Sequence, residues 1–219
     1  MKYLDVPQSG SAGNMTASRN RSGQYYRQRS LPTQPRTTAQ LAARSRLTTL
    51  SAAWRGLTAA QMAAWAGFAN SFSVVNNLGQ TIQLTGHQCY VKVNAVNLLL
   101  GVAASATPPA LPTFAACAVT ALTGTAGTPA LDLNGAAQAA GTDQMVYVSP
   151  QLSAGVSYNG RYAYIGKSGT YAAGKYSILS LYTAKYGTLV VGKKIFVKVV
   201  QNQAGMQDNG TVFTVTLAT

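Results

Sequence analysis

The sequence predicts an α+β protein in three parts. These are an extended N-terminal arm (residues 1–36), a small three-helix unit (37–103) and, after a linker (104–112), a C-terminal antiparallel β-sandwich (113–219). Three observations predict it. The arm is polar, rich in Gly, Ser, Gln and Arg, and broken by Pro7, Pro32 and Pro35. In the middle, threonine N-caps open three apolar-periodic segments. Beyond "ASATPPALP" the pattern changes to short apolar or alternating runs between Gly, Asn and Asp turns.

The stretch "RNRSGQYYRQRSLPTQPRTTAQLAARSR" (19–46), which runs from the arm into the helical unit, has seven arginines and no lysine, aspartate or glutamate. Residues 1–36 carry too little apolar surface to offset the entropy of ordering, so alone they should be disordered. The first helix starts at Thr37 or Thr38, just after Pro35. Ala43, Leu47, Leu50 and Trp54 recur at helical spacing and Gly56 supplies a stop, with Arg44 and Arg55 off that stripe.

In "LTAAQM", Thr58 and Gln61 fit a capping box, and Leu57 and Met62 occupy the staple positions around it. That second helix runs to about Asn70 with Met62, Trp65, Phe68 and Ala69 inward. Its short connection to the first predicts an antiparallel or steeply angled hairpin with both tryptophans inside. "NNLGQTIQL" (76–84) reads as a turn and a short strand. Thr85 and Gln88 form a second box, opening a third helix that presents Tyr90, Val93, Val96, Asn97 and Leu100 and stops at Gly101. No formally charged side chain stands between Gly56 and Val91, and so neutral a unit predicts packing against something larger than itself.

Strands are predicted near 114–122, 130–133, 143–149, 161–166, 176–182, 194–200 and 211–217. Short strands at this density fit a sandwich of immunoglobulin or fibronectin type III size. The Cys…Trp…Cys pattern of true immunoglobulin domains is absent, because both tryptophans lie upstream. "YTAKYGTLVVGKKIFVKVV" is the clearest part: Ile195, Val197 and Val199 alternate with Lys194, Phe196 and Lys198.

Composition narrows the function. Hydrophobic residues make up 47%, ample for a core. Seventeen Lys and Arg stand against four acids (Asp5, Asp132, Asp143, Asp208), a net charge of +13 that favours an anionic partner. Only 10% of residues are charged, well below the usual quarter or so, which predicts a surface much covered by partners. The start, MKYLDVPQSG, shows no signal-peptide h-region, and the apolar run near 97–106 is too short for a bilayer. The chain is therefore expected to be made in a cytoplasm.

Catalytic chemistry is not visible. The single histidine, His87, reads as structural or capping at a helix start, and the four aspartates are scattered in turn contexts. Cys89 and Cys117 form no C-x-x-C and read as buried free thiols. "GKSGTY" (166–171) lacks the spaced glycine of a phosphate loop, and Lys193 and Lys194 read as a solvated strand start. Two sequons, "NMT" and "NGT", matter only in a secretory context. The expectation is no enzyme, no cofactor, no metal and no small-molecule substrate.

The arm arginines, interleaved with Tyr25 and Tyr26, fit either phosphates and stacked bases or a protein interface. The arm lacks dense basic runs and prolines break it, which places a protein partner first and nucleic acid second. No apolar face accompanies the arginines, which argues against a membrane. The candidate partner-binding residues are Arg19, Arg21, Tyr25, Tyr26, Arg27, Arg29, Arg36 and Arg44.

The order "YYRQRSLPTQPRTTAQLAARSRL", "SAAWRGLTAAQMAAW", "LTGHQCYVKVNAVNLLLG" resembles a family of virion structural proteins encoded by tailed bacteriophages and prophages. The matching positions are Tyr26, Arg27, Arg29, Pro35, Arg36, Thr37, Gln40, Arg44, Trp54, Arg55, Leu57, Thr58, Gln61 and Trp65. "MVYVSPQLSAGVS" and "YGTLVVGKKIFVKV" look like the family's β-rich C-terminal domain, and the resemblance covers residues 20–219. It implies a virion component, with capsid or tail subunits and copies of itself as partners, and brings no catalytic residues. A capsid decoration or cement role is expected first, a head–tail collar or tail role second. A nucleic-acid-binding accessory protein is the alternative outside the virion.

Overall fold

Thr37, Thr58 and Thr85 start three helices by one device. Each threonine hydroxyl accepts from the backbone N–H of a glutamine three residues on, and that glutamine's side chain accepts from the threonine N–H. Two orphan donors are thereby satisfied at each helix start. The helices are α1 (Thr38–Arg55), α2 (Ala59–Ala69) and α3 (Gly86–Leu99), so of the two caps available before α1 the fold uses Thr37. The computed structural model describes residues 8–31, 33–71, 73–75, 78–136, 141–169 and 171–219. Among these, four helices and several antiparallel sheets make a mixed α+β chain that clusters into two compact units, residues 1–108 and 109–219.

In the first unit, α1 and α2 each pack on α3. Trp65 and Tyr90 are fully buried with their rings edge to face, centroids 5.4 Å apart at 88°. Trp54 is only half-buried, 5.3 Å from Tyr90 and 5.4 Å from His87. The two tryptophans thus meet through α3. α3 begins tight against the α2 backbone at Gly86, where a Cβ would lie 2.9 Å from the Ala66 nitrogen. The chain leaving α3 is fastened back: Trp65 Nε1 donates to Ala106 O (2.9 Å), while Asn94 donates to Ser105 O (3.1 Å) and accepts from Ser105 N (2.7 Å). A short hairpin, β4 (Ser73–Val75) and β5 (Thr81–Gln83), lies between α2 and α3 in sequence. Residues 76–77, the start of the turn and strand expected over 76–84, lie outside the described residues.

The expected extended arm is corrected over residues 10–28. β1 (Gly10–Ala12), β2 (Met15–Asn20) and β3 (Gly23–Gln28) form a three-stranded antiparallel sheet in that order. Turn chemistry explains it. Gly13, at φ 56°, and Asn14 close the first hairpin between Ala12 and Met15. Arg21 and Ser22 close the second, where Asn20 Oδ1 accepts from Ser22 N (2.9 Å) and Gly23 sits at φ 111°. Gln24, the sheet's one buried residue, pairs with the Gln8 backbone through both its amide oxygen and its amide nitrogen (3.2 and 2.9 Å). Residues 1–7 and 32 of the arm lie outside the described residues.

The second unit carries one apolar cluster drawn from two sheets. One sheet is ordered β11 (Lys175–Ser177), β7 (Ala130–Gly135), β6 (Val119–Thr125). In the other, β12 (Lys193–Gln203) is central. It pairs with β8 (Thr142–Val148) and β9 (Leu152–Ser153), and with β13 (Met206–Gln207) and β14 (Thr211–Thr216), while β10 (Ala163–Lys167) adds outside β8. Ile195, Val197 and Val199 of β12 meet Leu131 and Leu133 of β7 and Val146 and Val148 of β8. Each such fully buried aliphatic side chain contributes about 1.5–3 kcal/mol. The opposite face of β12 is covered too, with Phe196 and Val200 buried, as expected of a central strand.

The strand expected at 176–182 is a second correction. β11 stops at Ser177, and α4 (Leu179–Tyr186) follows. Ile178, Tyr182 and Tyr186 recur every fourth residue, a helical spacing, and Gly187 at φ 81° ends the turn. Tyr182 is fully buried and donates to Ser149 O (3.2 Å), and burial pushes its hydroxyl pKa well above the ordinary value.

Candidate interaction surface

The eight sequence-predicted residues fall on two elements. Six lie on or beside the β2–β3 hairpin, and two flank the start of α1. Antiparallel pairing places Arg19, Gln24 and Tyr26 on one face of the hairpin, with Ala17 opposite Tyr26. Tyr25 and Arg27 belong to the other face, opposite Ser18 and Thr16. Adjacent Tyr25 and Tyr26 therefore look in opposite directions and cannot form one stacking platform.

Arg21 occupies the turn tip, and Arg29 follows β3, its backbone N–H donating to Asn14 O (2.8 Å). The Tyr26 hydroxyl donates to Gln8 Oε1 (2.9 Å). Beside Tyr26, Met15, Ala17, Ala12 and Gly10 line a shallow concavity of ≈ 410 Å³. The four hairpin arginines are exposed at both ends of this small sheet.

Arg36 immediately precedes the Thr37 cap and holds a left-handed backbone, φ 51°. Such a conformation in a non-glycine residue costs about 1–3 kcal/mol and persists only where neighbours enforce it. Here Pro35 on one side and the capping box on the other fix the chain. Two turns into α1, Arg44 donates from Nη2 to Gln34 Oε1 (2.7 Å), folding the preceding segment along the helix.

Electrostatically this unit is one-sided. Residues 8–108 hold eight arginines, one lysine and no aspartate or glutamate. None of Arg19, Arg21, Arg27, Arg29, Arg36 or Arg44 has a carboxylate within ion-pair distance among the described residues. The described acids, Asp132, Asp143 and Asp208, all belong to the second unit, where Asp143 pairs with Lys167 at 3.4 Å.

Sequence reading missed Leu41 and Leu47, both about half exposed on α1, and Gln8 with Gln24, which hold the hairpin together. The stripe Ala43, Leu47, Leu50, Trp54 carried a signal for Leu47, but periodicity alone does not say where along a helix the covering partner ends.

Other chemistry-bearing residues are spread out. His87 sits in the first turn of α3 against Trp54. Cys89 is buried, and burial raises its thiol pKa against a smaller opposing pull from Lys92. Cys117 is only partly buried, packed against the apolar cluster of the second unit, which corrects the expectation that both thiols are fully buried. Asp208 borders a cleft of ≈ 300 Å³ with Tyr147, Tyr162 and Lys198, but its Oδ1 already accepts from Gln201 N (2.9 Å) and Gly210 N (3.0 Å) as a turn cap. Among the described residues no group of three His, Cys, Asp or Glu could hold a metal, and no helix is long and apolar enough to cross a membrane. No protein-family model, no curated protein and no solved structure matches the chain.

Proposed function

We propose that the chain is a structural component of a bacteriophage virion, a capsid decoration or cement protein that binds neighbouring subunits through its arginine-rich N-terminal surface. One observation carries this reading: six exposed arginines on two small elements, in a unit whose residues 8–108 hold no acid to balance them. Arginine and tyrosine are favoured interface anchors, and complementary charge steers and registers partners. The resemblance of the Tyr26 to Trp65 motif to phage virion proteins supports the same reading. So does a second unit whose two sheets share one apolar cluster, an arrangement read here as an immunoglobulin- or fibronectin type III-like sandwich. A head–tail collar or tail position rests on the same features.

A nucleic-acid-binding accessory protein is the competing reading, favoured by the net charge of +13. Alanine replacement of Arg19, Arg21, Arg27 and Arg29 separates the two. Under the assembly reading the variant folds normally but is lost from particles. Under the competing reading it still enters particles or never did, and its salt dependence of DNA binding flattens by roughly one unit of slope per phosphate contact removed.

A further inference from the structure

The stripe Ala43, Leu47, Leu50, Trp54 has two unlike halves. Leu50 is fully buried and Trp54 packs on Tyr90 of α3. Residues 38–49 contain no buried side chain, and Leu41 and Leu47 are 49% and 53% exposed. A helical stretch of that length gains little from propensity alone and depends on packing of its apolar side chains. Leu41, Arg44 and Leu47 are neighbours at i, i+3 spacing, so Arg44 stands between two half-exposed leucines.

The charges are as unmatched as the leucines. The first turn of α1 holds no acid, although the positive end of the helix dipole favours one there. Instead Arg36 adjoins the cap and Arg44 follows. Nucleic acid would meet the arginines but leave the leucines bare. A second copy of the same helix would cover the leucines but set arginine against arginine.

We infer that the N-terminal half of α1 docks an acidic amphipathic helix of a different protein. That helix packs its apolar side chains on Leu41 and Leu47 and its carboxylates on Arg36 and Arg44. The inference rests on the assembly reading above, but its test needs no particle, so the two fail separately. Absence from particles would remove the virion reading alone.

The test uses the full chain and, as probe, a synthetic helical peptide of about 20 residues with leucines at heptad positions and glutamates elsewhere. A peptide with the leucines replaced by serine and a DNA duplex of about 20 base pairs serve as comparisons. The leucine–glutamate peptide should bind about tenfold or more tighter than its serine counterpart. The exposed double variant Leu41→Ser with Leu47→Ser should lose that advantage while keeping its helical circular dichroism. Arg36→Gln with Arg44→Gln should weaken binding by about tenfold and flatten its salt dependence.

Equal binding of both peptides, or no effect of the leucine changes, would overturn the inference in favour of a general anion surface. Preference for the duplex would overturn it in favour of nucleic acid, and binding of neither peptide would overturn it outright.

Discussion

Trp65→Ala is expected to unfold the helical unit. Trp65 is fully buried, stands edge to face with both Phe68 and Tyr90, and its Nε1 donates to Ala106 O at 2.9 Å. Truncating a buried tryptophan costs about 3–5 kcal/mol. The lost hydrogen bond also frees the segment that Asn94 and Trp65 hold together against the helices. A unit of this size has about 5–15 kcal/mol in total, so a large share of its stability is at stake. Trp65→Phe keeps the aromatic packing and should lose only about 1–2 kcal/mol with the hydrogen bond. Far-ultraviolet circular dichroism melts measure both; an alanine variant melting within about 5 °C of the parent would contradict this account of the core.

Gly135→Ala should damage the second unit nearly as much. Gly135 ends β7 at φ 145°, pairs with Val119 next to the register shift in β6, and donates its N–H to Gly174 O (2.8 Å). A side chain is strained in that backbone at a cost of about 1–3 kcal/mol. A Cβ there would also overlap the Ala118 carbonyl and come 2.8 Å from the Val119 Cα. Backbone cannot swing aside as a side-chain tip can, so relief requires parting β6 from β7. That overpacking adds about 1–3 kcal/mol, and the summed loss appears as a lower denaturant midpoint. Gly155, with open space around its Cβ position and no left-handed φ, is the matched control, and Gly155→Ala should leave the midpoint unchanged.

Much of the helical unit was legible because its starts are chemical. Thr58 with Gln61 and Thr85 with Gln88 name their own caps, and Gly56 and Gly101 mark the stops. The N-terminal sheet was not legible, since Ser, Thr, Ala and Gln in its strands bury almost nothing. Paired backbone and two tight turns hold it instead, and neither registers as hydropathy. In α4, "ILSLY" satisfies strand and helix patterns alike over five residues, and only the contacts of Ile178 and Tyr182 with the cluster decide. The identity of the candidate arginines was readable from composition. Their division between hairpin and helix, and the bare leucines beside Arg44, depend on where packing stops.

The central claim is that this chain is built into a particle. Quantitative mass spectrometry of purified particles, scaled to the most abundant shell protein, tests it most directly. A copy number on the scale of the shell is the predicted result and places the arginine-rich surface at a capsid contact, while a single ring's worth would move the chain to the collar or tail. Absence from the particle would contradict the structural reading and leave the nucleic-acid alternative standing.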